Sequence, residues 1–217
     1  CMPTLHNPLG WVMGTEQRAH LVSIARQYDL TIIEDAAYAF LVENPPPPLA
    51  DLAPERTLYV SGLSKSVAAG LRIGFVAAPA SMIAALERMI RVTAWNTPGV
   101  MTAIAAGWLD DGTVRQLERQ KRQDAQARQI IAGEVLAGLP IVRHPFSYFV
   151  WLPLSEDARA DQVVSALMRE HVSVSTAQPF TTSAQVPHAI RLALGSVDMG
   201  TLRMAVAKVR CVIEAYS

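Results

Sequence analysis

The sequence predicts an α/β fold in two parts, a larger one over residues 1–138 and a smaller α+β one over residues 139–217. Three observations lead there. Short apolar runs of strand character alternate with longer runs of helical periodicity through the first part. After Pro140 the texture changes to a closer succession of strand, helix, strand, strand and helix, with its own apolar faces. A chain of 217 residues with 51% hydrophobic content has enough apolar surface to build a substantial core.

The opening "CMPTLHNPLG" reads as a strand running into an Asn-Pro turn, with no methionine at position 1. Domains seldom begin in mid-strand, so the expectation is a segment of a longer chain, or Met2 as an internal start. Residues 15–28 place Leu21, Ile24, Ala25 and Tyr28 on one helical face, with Thr15 as N-cap. "LTIIED" reads as a short buried strand. "NPPPPLADLAPE" (44–55) reads as a stiff extended loop, because each proline lacks an N–H donor. "TLYVSGL" (57–63) and "LRIGFVAA" (71–78) read as strands, the second apolar enough to be covered on both faces. Helices follow at 79–93 and 100–109, then a long polar helix from about Thr113 to Gly138 with a solvated face. In the second part "YFVWLPL", "VSVST" and "AIRLALG" read as strands, and "ADQVVSALMREH" and "MGTLRMAVAKVRCVIEAY" as helices.

Composition excludes several classes. Nineteen basic residues balance nineteen acidic ones, so no charge excess draws the chain to nucleic acid or an anionic membrane. The longest uncharged stretch, Val92 to Leu109, is interrupted by Asn96, Pro98, Gly99 and three threonines, and reads as a loop entering a buried helix. Cys1 and Cys211 are the only cysteines, which leaves no disulfide framework or zinc cluster and suits a reducing cytoplasm. No signal peptide is visible.

The chemistry is expected around "SGLSKSVAAGLRIGF" (61–75). Lys65 stands among Gly62, Ser64, Ala68, Ala69 and Gly70, small residues that let a ligand approach the backbone. Apolar strands on either side would desolvate the amine, lower its pKa and free it to condense with an aldehyde. A phosphate loop and a penicillin-binding S-x-x-K motif both fail on spacing, since Ser64 directly precedes Lys65 with no glycine five positions before that, and Gly62 stands three residues before Lys65 where the second motif needs serine. Three further stretches matter: "HNPLG" (6–10), "IIEDAAY" (32–38) and "IRLALG" (190–195). Singly, Asn7 reads as a turn former, Asp35 as a cap, Tyr38 as packing and Arg191 as an exposed strand charge.

In this order those stretches resemble the ordered motifs of the class I/II aminotransferases of the pyridoxal-phosphate-dependent transferase fold (fold type I): N-P-x-G, D-x-A-Y, S-K with a following arginine, and a late arginine. The resemblance implies a partial large domain with a mostly parallel sheet, plus the small C-terminal domain. It implies pyridoxal 5'-phosphate as cofactor, with Lys65 as its covalent attachment and the proton carrier. Asp35 would pair with the pyridine nitrogen and keep it protonated, while Asn7 and Tyr38 would hydrogen-bond the ring's phenolic oxygen. Ser64 and Arg72 would hold the phosphate, and Arg191 would take a substrate carboxylate through its planar fork. Two positions depart from the pattern: Leu9 stands where threonine is common, and Gly62 where a hydroxyl residue is common. The glycine-rich phosphate cradle and the ring-stacking aromatic of the family precede this stretch.

Within the family, "PTLHNPLGWVM" and "SKSVAAGLRIGFVAAP" are most similar to the MocR group, in which a GntR-type winged helix precedes an aminotransferase-like domain. That implies a homodimeric effector domain sensing an amino acid or amine, with DNA bound only through a domain outside this chain. A free-standing aminotransferase is the alternative, and a cofactor-free packing or dimer module is the third reading.

Overall fold

A computed structural model describes residues 1–155 and 158–216. The chain packs as two units: Cys1–Leu5 with Val12–Lys121, and His6–Trp11 with Arg122 onward. The division falls within one long helix.

In the first unit α1 (Thr15–Gln27) leads to β1 (Ile32–Asp35), α2 (Leu49–Leu52), β2 (Thr57–Gly62), α3 (Leu63–Ser66), β3 (Gly74–Ala77), α4 (Ala80–Thr93) and α5 (Gly99–Asp110). The sheet order is β1-β2-β3, with β1 parallel to β2 and β3 antiparallel to it. One core joins Val22 and Ala25 of α1 to Ile32, Leu49 and Ala53. A second gathers Leu63, Leu71, Ile73, Ala105 and Val114.

Several local expectations are corrected here. Gly14, not Thr15, caps α1, and its N–H donates to the Gln17 side chain at 3.2 Å. The face that α1 buries carries Arg18, Val22 and Ala25, while Ile24 and Tyr28 are exposed. The opening residues form only a single antiparallel bridge, Thr4 to Val12, and no strand. The proline-rich segment holds a helical turn, since Pro48 stands at its N-cap where a missing N–H costs nothing, and it buries Leu49 and Ala53. β1 is buried on one side only, with Ile33 exposed. β3 is shorter than expected, and all four of its residues are exposed. Helix α4 buries none of its residues.

The second unit begins within α6 (Thr113–Val135) and adds β4 (Val142–Arg143), β5 (Phe149–Pro153), α7 (Ala160–Arg169), β6 (Ser175–Thr176), β7 (Ala189–Ala193) and α8 (Met199–Ala215). Its sheet order is β4-β5-β7-β6, antiparallel throughout. Val150, Leu152, Ile190, Leu192 and Leu194 pack against Val163 and Leu167 of α7 and Leu202, Val206 and Val209 of α8. Helix α6 has the solvated face expected of it, with Arg115, Gln116, Arg119 and Gln123 exposed, and buries its other side. Arg128 donates to the carbonyls of Leu194 and Val197 at 2.7 and 2.6 Å, and Gln129 to those of Ser147 and Phe149 at 2.7 and 2.9 Å. These side chains donate to backbone carbonyls at the start of β5 and just past the end of β7. β4 was not expected, and "VSVST" supplies only the two strand residues of β6.

Candidate functional site

In the first unit the parallel pairing of β1 and β2 brings their C-terminal ends together. Asp35 closes β1, and its Oδ1 accepts from the Ala37 N–H at 2.9 Å, which turns the chain toward Tyr38. Ala36 N–H donates to the Val60 carbonyl at 2.8 Å and ties that turn to β2. β2 ends at Gly62, where an added Cβ would stand 2.8 Å from the Ile73 carbonyl oxygen. The close approach requires glycine here, which accounts for the departure from the hydroxyl residue common in the family. Leu63 N–H donates to that same Ile73 carbonyl at 3.1 Å, and the single turn of α3 then presents Ser64 and Lys65.

Arg72 follows a 3-10 turn in the left-handed conformation, at φ 52° and ψ 34°. This is a costly backbone for a residue with a Cβ, on the order of 1–2 kcal/mol. The result is a hollow of about 250 Å³ lined by Asp35, Ser61, Gly62, Ser64, Lys65 and Arg72, among others. Lys65 Nζ lies 5.8 Å from the centre of the Tyr38 ring. Lys65 and Arg72 are exposed, so the desolvated amine expected from the flanking strands is not what the structure of this chain has. The flanking apolar residues that are buried, Leu63, Leu71 and Ile73, pack away into their own core. A larger hollow of about 660 Å³ between α1 and β1 is lined mostly by aliphatic side chains and contains none of the expected site residues.

The second unit brings Asn7 and Arg191 together. Asn7 lies in the turn His6–Gly10, closed by His6 N–H to the Trp11 carbonyl at 2.9 Å and Gly10 N–H to the His6 carbonyl at 2.6 Å. The Asn7-Pro8 peptide is cis, and Gly10 takes φ 71° with His144 packed against it. Burial lowers the pKa of His6, whose ring stacks on Trp11 at 5.2 Å, and that of His144. Arg191, in β7, is half-buried and not the exposed charge that the residue alone suggests. It donates to Asn7 Oδ1 at 3.1 Å and to Ser175 Oγ at 3.3 Å, with its guanidinium carbon 4.9 Å from the Phe149 ring and 4.7 Å from the Phe180 ring. The two rings hold the guanidinium plane, leaving its edges for hydrogen bonds. Leu9 packs with Trp151, Ala177, Ala189 and Phe180, an apolar seat that a threonine would fill less well.

Sequence reading missed Phe149, Ser175 and Phe180, which only the strand register and a loop bring to Arg191. It also missed Arg18, whose one signal was a charge among the apolar positions of α1.

The donor set suits a phosphorylated pyridine aldehyde. Among the described residues neither the Ser64 hydroxyl nor the Arg72 guanidinium engages a protein hydrogen bond or ion pair, and a carboxylate and an amine line the same hollow. Arginine and serine match a phosphate, the Asp35 carboxylate a ring nitrogen, and the Lys65 amine an aldehyde.

A donor set of these kinds fits pyridoxal phosphate. The aminotransferase class I and II profile matches residues 1–209, and the chain belongs to that family. Its relatives are of two kinds. It is 30% identical over 189 residues to the uncharacterized HTH-type transcriptional regulator YdcR of Escherichia coli, covering 83% of this chain and 40% of that protein. It is 26% identical over 207 residues to the 2-aminoadipate transaminase of Thermus thermophilus, covering 91% of this chain and 52% of the enzyme. Its fold superposes on an archaeal alanine:glyoxylate aminotransferase with a TM-score of 0.90, at 26% identity, covering 100% of this chain and 56% of that one. The chain thus spans about half, or less, of each relative. The cofactor of the family is pyridoxal 5'-phosphate. Among the described residues no helix is long and apolar enough to cross a membrane.

Proposed function

We propose that this chain is the larger share of the effector domain of a cytoplasmic MocR/GntR-type transcriptional regulator, which senses an amino acid or amine through pyridoxal phosphate. The observation that carries the reading is the hollow shared by Asp35, Ser64, Lys65 and Arg72. When bound, the cofactor supplies an aldehyde for amines and an electron sink for the carbon next to nitrogen. Lys65 would hold the aldehyde carbon and would serve as a base for the proton at the carbon next to nitrogen. Asp35 holds a proton on the ring nitrogen, and Ser64 and Arg72 bind the phosphate. Tyr38 and Asn7 hydrogen-bond the phenolic oxygen. Arg191, held between Phe149 and Phe180, takes a carboxylate in its plane. An amino acid carries both groups that Lys65 and Arg191 suit.

The regulator reading is favoured over a free-standing aminotransferase by the similarity to several HTH-type regulators over most of this chain, which spans 42%, 44% and 46% of the length of three of them. A helix-turn-helix domain outside this chain would bind DNA, a reading supported by relatives named as HTH-type transcriptional regulators. The 2-aminoadipate transaminase keeps the enzyme reading as the alternative. A homodimer is the proposed assembly, supported by α4, which buries nothing and exposes Ile83, Met89, Ile90 and Val92. Residues 139–217 form the smaller domain in this proposal.

Signalling requires only that a ligand prefer one of two states. A coupling of about 1–3 kcal/mol, or roughly 5- to 150-fold in DNA affinity, suffices. The test measures DNA binding by the full-length protein at fixed salt, with cofactor and a panel of amino acids and amines, beside an assay for keto acid. A ligand-dependent change in DNA affinity with little keto acid is the expected result. Rapid transamination by a protein that binds no DNA would establish the enzyme in its place.

A further inference from the structure

Helix α1 carries one fully buried charge, Arg18, which neither the cofactor nor the substrate roles use. All three of its guanidinium nitrogens donate hydrogen bonds. Nε reaches the Met13 carbonyl at 2.9 Å, and Nη1 the Pro47 carbonyl at 3.1 Å. Nη2 reaches the Pro3 carbonyl at 3.1 Å and Thr4 Oγ1 at 2.7 Å. The balancing charge is Glu34 of β1, 3.8 Å from Nη1, itself buried and accepting from the Ala50 N–H at 3.1 Å.

These contacts share one geometry. Pro3 and Thr4 form one stem of the turn that carries Asn7, and Met13 forms the other. The stems meet through the Thr4 to Val12 bridge, the Met13 N–H to Pro3 carbonyl bond at 2.7 Å and the His6 N–H to Trp11 carbonyl bond at 2.9 Å. So short a pairing is by itself a weak closure for a turn that must hold a side chain in a fixed direction. The planar fork of Arg18 spans both stems and anchors them to β1 through Glu34 and to the proline-rich segment through Pro47. Burying a guanidinium is costly unless it is hydrogen-bonded and paired, and here each nitrogen donates to the turn's own stems or a neighbour while Glu34 balances the charge.

We propose that Arg18 is a positioning residue, which clamps the two stems of the Asn7 turn and so fixes the direction in which Asn7 presents its amide. The inference rests on the reading of Asn7 as a partner of the cofactor ring. Lysine cannot substitute, because a single ammonium cannot bond Met13, Thr4 and Pro47 together.

The test uses Arg18→Lys and, because a buried change can unfold the chain, also the double variant Arg18→Met with Glu34→Gln, which leaves no buried charge uncompensated. The first readout is amide hydrogen exchange on the 217-residue chain. The amides of His6, Gly10 and Met13 should exchange at least about tenfold faster, while core amides of β2 and β5 keep their protection. The second readout is the pH midpoint of the visible absorption of cofactor bound to the full-length protein. It should move in the same direction as in Asn7→Ala, by about tenfold in proton affinity, with borohydride trapping on Lys65 retained. Unchanged exchange at the turn, loosening spread over the whole first unit, or full rescue by lysine overturns the clamp. So does a turn that loosens without moving the absorption midpoint when Asn7→Ala does move it. If Asn7→Ala is itself silent, the reading of Asn7 fails, and the exchange data alone decide the clamp.

Discussion

Arg72 and Gly62 show opposite solutions to the same problem of space. Gly62 is glycine because a Cβ would press on the Ile73 carbonyl, and no gain in hydrogen bonding offsets a contact of 2.8 Å. Arg72 keeps a large side chain in a left-handed backbone where glycine would sit without strain. Strain retained at a residue lining a ligand hollow is the pattern of function held against stability. Arg72→Gly should therefore stabilise the chain by about 1 kcal/mol while lowering its hold on the cofactor phosphate. Urea unfolding and equilibrium dialysis against pyridoxal phosphate report the two effects separately. A variant both less stable and unchanged in cofactor retention would remove Arg72 from the site. Neither the backbone angle nor the Ile73 contact was visible in the sequence, since both arise where β2 and β3 converge.

At the scale of elements, periodicity located most helices and strands but not which side each one buries. Helix α1 turns Val22 and Ala25 inward and leaves Ile24 and Tyr28 in solvent, so of the apolar face read from the spacing only Ala25 and Leu21 meet the core. Helix α6 has the solvated face its polar sequence predicts, but Arg128 and Gln129 lie on its buried side, where the carbonyls of Ser147, Phe149, Leu194 and Val197 accept from them, a demand that exists only in three dimensions. The turn His6–Gly10 and the loop after β4 also carry a pH dependence. Burial lowers the pKa of His6 and His144 below the ordinary 6.5, and neutral His144 Nδ1 accepts from the Phe146 N–H at 3.2 Å. The unfolded chain takes up protons first as pH falls, so this stability is complete above about 6.5 and is lost through and below that value. The urea midpoint should fall on acidification across that window. Replacing His6 with Gln and His144 with Asn should flatten the dependence, and an unaltered slope would assign it to other groups.

At the scale of the molecule, the family was legible because chemistry imposes an order along the chain. An Asn-Pro turn, an acid ending a strand, a lysine after a second strand and a late arginine each have a structural explanation alone, and together they have a common one. What was not legible was how each motif is built: the aromatic clamp on Arg191, the Arg18 anchor, and the exposure of Lys65. The central claim is that Lys65 is where pyridoxal phosphate attaches, and borohydride reduction of the full-length protein loaded with cofactor, followed by peptide mapping, tests it most directly. The account predicts one reduced cofactor adduct, on the peptide containing Lys65, and its loss in Lys65→Ala with the fold intact. An adduct on Lys121 or Lys208, or none on any lysine of this chain, would contradict it.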